Sequence, residues 1–348
     1  MNENDNIIKK SFISTILFIV IVLIVFYFIF RDNNYKEVYN ILINSNKLYL
    51  LIGILCMSSF SICEALNIKT ALNLFKEKIS FKRSYKYALA GFFVAGITPS
   101  ASGGDPMQLY LMSRDDIKIS HGALSLLLKL LSFQFNQIII AVISFIIYHR
   151  IFLESLGNLK YVIFLGAFLN ILVGVLYFLI IFFKPVIVYL VELLSKLLHK
   201  LHIKKTDSII NKLNSLVEEY SQASILIKQN KKVLLKIFLT TFIQVISFYS
   251  IPYCVYLALG LHEYTIIRFI ALQSVLYISV SSLPFPGAVG VSEATFMRIY
   301  RNMFPEIILG SAMVITRFIN FYIFIVYSGL SLMFFIVKDN FSTNSKKR

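Results

Sequence analysis

Of 348 residues, 57% are hydrophobic and only 15% are charged, with a mean hydropathy of +0.75, more apolar than an ordinary soluble domain. The formal net charge is +16, but the positive residues lie between apolar runs, so membrane orientation explains them better than nucleic-acid binding. Without a polar block long enough for a soluble module, the expected class is an all-α polytopic membrane protein.

Lys9 and Lys10 precede an apolar stretch, Ser11 to Phe30, too long for a signal-peptide core and long enough for a retained first helix. Full spans are expected at 11–30, 47–66, 119–148, 159–183, 235–259 and 307–337. Two further apolar regions, 84–114 and 265–303, are interrupted. The first breaks at Thr98-Pro-Ser-Ala-Ser-Gly-Gly-Asp-Pro106, and the second at Leu283-Pro-Phe-Pro-Gly-Ala-Val-Gly-Val-Ser-Glu293. The arms before these breaks are shorter than the roughly 20 residues a spanning helix needs. Each region therefore reads as a re-entrant helical hairpin, entering and leaving on one side. Irregular backbone at membrane depth is tolerated where it is buried in protein or lines a wet cavity.

Lys and Arg distribute unevenly on this map. With the N-terminus in the cytoplasm, 24 of the 34 fall in cytoplasmic stretches, eight lie outside, and Lys129 and Arg317 sit within spans. That bias predicts cytoplasmic termini. Residues 1–337 form one membrane domain. Its cytoplasmic insert, 184–232, carries an amphipathic helix over Val186 to Ile203, and a polar tail follows at 338–348.

An offset of 188 residues places Asp105 on Glu293, Gly122 on Gly310, Lys129 on Arg317 and Phe133 on Phe321. The first unit, 11–148, begins inside and the second, 159–337, begins outside, which predicts inverted repeats. Transporters of this build hold their substrate near the midplane, between the repeats.

Lys129 and Arg317 lie about ten residues into their spans, some 15 Å deep. A cation there is costly and faces a partner or a wet cavity. Two readings stand side by side: an ion pair with Asp105 or Glu293, or contact with an anionic substrate. Asp105 before Pro106 also fits a helix N-cap with proline at the first helical position, and Ser292 before Glu293 offers a similar start. The candidate substrate-binding residues are therefore Lys129, Arg317, Asp105 and Glu293. Ser102, Gly103, Gly104 and Ser292 join them at the breaks, and Asn136 and Asn320 on the long helices. Glu64, an acid in the second span, is a further functional candidate. Asn170, Gln244 and Gln273 fit interhelical hydrogen bonding. Cys56, Cys63 and Cys254 have no metal-ligand spacing, and no cofactor motif or nucleophile–base set is found.

The run Thr98 to Tyr110, together with Pro286-Gly-Ala-Val-Gly-Val-Ser-Glu-Ala294, resembles the flippase-like membrane domain of lysylphosphatidylglycerol synthases, the multiple peptide resistance factors. The resemblance covers nearly the whole chain. In bifunctional members a cytoplasmic aminoacyltransferase charges phosphatidylglycerol from lysyl-tRNA, and the membrane part moves the product outward, giving resistance to cationic peptides. Here about ten residues follow the last span, so the expectation is a stand-alone member. Asp105 stands where the family's first motif often has Glu. The resemblance implies a phospholipid translocase acting on an anionic or aminoacylated lipid, with a homodimer or a separate lipid-modifying enzyme as candidate partners. The rival readings are a lysyltransferase-family protein in lysyl-lipid synthesis, a small-anion secondary transporter and a non-transporting scaffold.

Overall fold

The computed structural model describes residues 35–98, 101–156, 159–200, 206–281 and 290–346. The expected first span at 11–30 lies outside these residues, as do Pro99, Ser100 and the second break over 282–289. The described residues are helical throughout their regular structure, with no strand among them. In chain order the helices are α1 (Tyr35–Asn44), α2 (Lys47–Leu74), α3 (Phe81–Ile97), α4 (Gly104–Arg114), α5 (Ile119–Leu156), α6 (Leu159–Phe182) and α7 (Lys184–Lys200). Then follow α8 (Thr206–Gln229), α9 (Lys231–Tyr249), α10 (Ile251–Ala258), α11 (Ile266–Val280), α12 (Val291–Ile299), α13 (Glu306–Arg317), a π-helical turn (Phe318–Tyr322) and α14 (Ile323–Lys346).

Five stretches among the described residues are long and apolar enough to cross a bilayer: Lys47–Leu74, Ile119–His149, Phe164–Phe182, Lys231–Ala258 and Glu306–Phe335. They overlap the five expected spans that fall in the described chain. Two departures have a clear cause. α2 continues beyond the apolar run because Asn67, Ile68, Ala71 and Leu72 are buried against protein. The expected span 235–259 divides at Ser250, where Pro252 in the first turn of α10 cannot donate a backbone hydrogen bond.

Both interrupted regions fold as antiparallel helical pairs. Ser80 caps α3 by accepting from Arg83 N. At the far end of the α3–α4 pair, the Tyr87 hydroxyl donates to Asp115 Oδ2 at 2.5 Å. At the tip, Thr98 Oγ donates to Val94 O and accepts from Gly103 N, tying the two arms together. The arms touch because Gly104 lacks a side chain: a Cβ there would stand 2.9 Å from Gly91 O. Ala101, at φ +55°, holds a left-handed conformation at the turn. In the α11–α12 pair, Tyr300 OH donates to Gln273 Oε1, and the Phe269 and Tyr300 rings stack with centroids 5.5 Å apart. Phe269, Leu272, Phe296, Tyr300 and Phe304 are buried in the largest apolar cluster.

The insert differs from expectation. It holds two helices, and the second, α8, is a packed element. Tyr220, Ala223 and Ile227 are buried with Leu124 and Leu128 of α5, and Ser224 Oγ donates to Ile181 O. The expected amphipathic helix is present as α7, ending at Lys200, and residues 201–205 lie outside the described chain.

Candidate functional site

A cavity of about 330 Å³ opens between the two hairpins and is walled by α2, α5, α9 and the start of the π turn. That volume is at the lower end of small-molecule sites. Lys129, Arg317, Asp105, Gly104, Ser292 and Asn320 line it. Three of these six, Asp105, Lys129 and Arg317, belong to the pairs that the 188-residue offset aligned, Asp105 with Glu293 and Lys129 with Arg317. Glu293 stands behind Arg317. Ser102 is exposed at the first tip and, with Gly103, does not line the cavity. Asn136 is a correction: it is buried elsewhere on α5, where its amide donates to Ser132 O and Phe238 O and so joins α5 to α9.

Lys129 is 5% exposed. Its ammonium group donates to Glu64 Oε1 at 2.5 Å, Asp105 Oδ1 at 2.9 Å and Gln108 Oε1 at 3.1 Å. An ammonium has three donors, so these three acceptors saturate it. Glu64 is held from its other side by Gln244 Nε2 at 3.0 Å, and Gln244 Oε1 in turn accepts from Asn67. This buried network joins α2, α4, α5 and α9.

Arg317 ends α13. Its Nε donates to Glu293 Oε1 at 2.8 Å, and its guanidinium carbon lies 4.7 Å from the Phe321 ring centroid. Glu293 Oε2 accepts from Gly290 N and from Ser292 Oγ, so one carboxylate both secures the start of α12 and partners the cation. Gly290 takes φ +86°, which favours glycine. The π turn begins immediately after Arg317, and such single-turn insertions recur at functional sites.

The helix-start expectations need correcting. α4 begins at Gly104 with Gly103 as its cap, so Asp105 and Pro106 fall two positions further in than expected, and the Asp105 carboxylate accepts from Lys129. α12 is capped at Gly290, with Ser292 inside the helix. Both hairpins nevertheless present a helix N-terminus, the positive end of the dipole, toward the cavity.

Between the charged groups runs an aromatic wall of Phe60, Phe133, Phe248 and Tyr277, with successive centroids 5.3–6.3 Å apart. Thr316 and Asn320, 1% and 6% exposed, also line the cavity, and Thr316 Oγ and Asn320 Oδ1 have no hydrogen-bond partner within the described chain.

Sequence reasoning marked Glu64 as functional without joining it to Lys129. It left Gln108 unmarked although Gln108 stands inside the run Thr98 to Tyr110. Its spacing from Asp105 puts both on one face of α4, a signal readable once the helix start is placed.

The model of the lysylphosphatidylglycerol synthase TM region matches residues 15–328 of this chain, a stretch that includes both hairpins and both ion pairs. The chain belongs to that family. It is also 25% identical over 321 residues to a UPF0104 membrane protein of Archaeoglobus fulgidus, covering 91% of this chain and 95% of the relative. The family is one of membrane proteins, which agrees with the five apolar spans. Both hairpin motifs and the residues lining the cavity fall inside the matched region.

Proposed function

We propose that this member of the family moves phospholipid between leaflets, drawing the headgroup into the cavity while the acyl chains stay in the bilayer. The observation that carries the reading is that Lys129 and Arg317, each placed within a long apolar span, face one cavity between two helical hairpins. Thr316 Oγ and Asn320 Oδ1, buried without partners among the described residues, belong to side chains within three positions of Arg317 that line the same space. An anionic phosphodiester suits this lining: Arg317 supplies charge, Thr316 a hydroxyl donor, and Asn320 an amide that presents either its oxygen or its N–H₂. The start of α12 adds its dipole. Lys129 becomes available when a headgroup displaces Asp105, the more exposed of its two carboxylates. The family's printed link to lysylphosphatidylglycerol favours a lipid over a small free anion.

The inverted-repeat reading has further support. Lys129 pairs with Asp105, and Arg317 with Glu293, each across 24 residues. α2 crosses α9 antiparallel, and at the crossing Ser247 Oγ donates to Ser59 Oγ while Phe60 packs on Phe248. Ser59 and Ser247, like Phe60 and Phe248, are separated by 188 residues, the same offset that aligns the two halves. Equivalent residues meet each other only beside a two-fold axis, so the axis of the two halves would pass there, at the cavity wall. Rocking of one half about this crossing would expose the site to either side. The excess of Lys and Arg on one set of loops orients the chain with cytoplasmic termini. The open apolar face of α7, with Tyr189, Leu190 and Leu193 exposed, suits the cytoplasmic lipid surface.

Purified protein in liposomes carrying fluorescent phosphatidylglycerol tests the reading, with dithionite quenching reporting which leaflet holds the label. The wild type is expected to exceed empty liposomes, and Arg317→Ala to lose at least about tenfold, the size of one lost charged contact. Movement equal to that of empty liposomes defeats the reading, as does full movement by the Lys129→Ala, Arg317→Ala double variant.

A further inference from the structure

A lipid translocase needs an opening in its side wall, because a headgroup that enters the cavity leaves its acyl chains in the bilayer. Three hydroxyls mark such an opening between α3 and α14. Ser61 lines the cavity, and its Oγ lies 3.4 Å from Tyr85 OH, which in turn lies 3.4 Å from Tyr327 OH. Tyr327 is 43% exposed, so the line of hydroxyls runs from the cavity to the outer surface of an apolar span. Its direction is fixed. Ser61 gives its one proton to Ser58 O, so Tyr85 donates to Ser61 and Tyr327 to Tyr85. Both tyrosine contacts are longer than an ordinary O–H···O bond. An anionic phosphate oxygen competes well for such hydroxyls, because the charge-assisted bond is shorter and stronger. Lys82, three residues before Tyr85 and so on the same face of α3, is exposed.

Resting on the translocase reading, we propose that the seam between α3 and α14 is the portal through which a phospholipid of the bilayer passes its phosphate into the cavity, received by Tyr327 and then by Tyr85. Tyr85 stands four residues into α3, and Tyr327 eight residues before the end of the last apolar span. On the orientation proposed above, the mouth therefore lies near the headgroup level of the cytoplasmic leaflet, where tyrosine is favoured. From there the line leads to Ser61, one helical turn from Glu64 and the Lys129 ammonium that Glu64 holds. Apolar contacts shut the inner end of the seam. Phe92 meets Phe324 edge-on with ring centroids 6.0 Å apart, and Ile325 lies over Gly96. Phe92 and Gly96 are themselves cavity wall, so parting α3 from α14 opens the cavity directly to lipid. The 188-residue offset places Tyr249 of α9 at the counterpart of Ser61, Gln273 of α11 at that of Tyr85 and Ile139 of α5 at that of Tyr327. Tyr249 and Gln273 are 1% and 4% exposed. The counterpart seam is thus covered while the α3–α14 mouth presents a hydroxyl to lipid, and one mouth at a time is what alternating access requires.

In a protein whose Cys56, Cys63 and Cys254 have been replaced, Gly96→Cys with Ile325→Cys staples the seam: a Cβ at Gly96 would stand 2.9 Å from Ile325 Cγ1, within reach of a disulfide. Oxidation is expected to stop movement of fluorescent phosphatidylglycerol in liposomes, and reduction to restore it. Tyr85→Phe with Tyr327→Phe tests the hydroxyls without a cross-link, and decides the matter where the reduced staple is itself inactive. A portal sets the rate of entry and leaves the binding equilibrium alone. Lipid movement by the Phe pair is therefore expected to slow about tenfold, the size of one charge-assisted hydrogen bond to the phosphate. Its affinity for water-soluble dihexanoylphosphatidylglycerol in neutral detergent, measured by calorimetry, is expected to stay that of the wild type, and thermal unfolding checks that it is folded. Full movement by the oxidised staple or by the Phe pair overturns the portal and leaves the translocase reading standing. An affinity that falls as far as the rate makes the tyrosines part of the binding site and likewise overturns the portal. Wild type no faster than empty liposomes overturns the translocase reading, and the portal with it.

Discussion

Lys129 and Arg317 illustrate two ways of keeping a cation inside an apolar fold. Lys129 is saturated by three acceptors drawn from two helices, so it acts as a structural node until an acceptor leaves. Replacing it with Ala strands two carboxylates, and breaking a buried pair in this way costs about 3–5 kcal/mol. Thermal unfolding in detergent is expected to show that loss, and Glu64→Gln added to Lys129→Ala should recover part of it, because one stranded charge is then removed. Thr316 makes the opposite case. Its hydroxyl is buried without a partner, so Thr316→Val is expected to leave stability unchanged or raise it by up to about 1 kcal/mol while slowing movement of labelled phosphatidylglycerol. A variant both less stable and fully active would show that the hydroxyl serves packing alone.

At the scale of elements, each hairpin is held by a different device. The first relies on close approach of its arms at Gly91 and Gly104. Gly104→Val inserts branched carbon where a single Cβ already falls 2.9 Å from backbone oxygen, and overpacking of this kind costs about 1–3 kcal/mol. The expected result is a lower unfolding temperature together with loss of lipid movement. The second hairpin is anchored from α6: Asn170 Nδ2 donates to Ile278 O near the end of α11, and Gln134 Nε2 donates to Asn170 Oδ1. Asn170→Leu takes this donor from Ile278 O, while Gln134 Nε2 keeps the Asn170 backbone carbonyl, a loss of about 1–3 kcal/mol. Hydrogen exchange should quicken at the end of α11 and stay unchanged in α3. The interrupted pattern of both hairpins was legible because short apolar arms and Pro-Gly breaks are local signals. The anchoring was not, because Asn170 in an apolar run reads only as a polar residue needing some partner.

The molecule as a whole turns on the crossing of α2 and α9. Cysteines placed at Ser59 and Ser247, whose hydroxyl oxygens stand 3.2 Å apart, test the rocking motion in a protein whose Cys56, Cys63 and Cys254 have been replaced. Oxidative cross-linking is expected to join them in good yield and to stop lipid movement, with reduction restoring it. A cross-linked protein that moves lipid at the full rate would remove the rocking motion from the mechanism. The insert belongs to this scale too. Composition marked it as amphipathic, but α8 turns one face onto α5 and α6 rather than onto lipid, a choice that depends on what lies beside it.

By itself the sequence determined the membrane class, the placement of the five described spans, the first break and the presence of Lys129 and Arg317 within apolar spans. Each of these follows from the transfer free energy of a local stretch or from the backbone limits of Pro and Gly, which need no knowledge of the rest of the chain. Only the tertiary structure decided which acids meet which cations. It placed Glu64 beside Lys129 across 65 residues and Gln244 beside Glu64 across 180, left Thr316 Oγ and Asn320 Oδ1 without partners among the described residues, and turned Asn136 away from the cavity. A buried charge takes whichever partner the packing of helices brings within hydrogen-bond reach, and that juxtaposition belongs to no local window of residues.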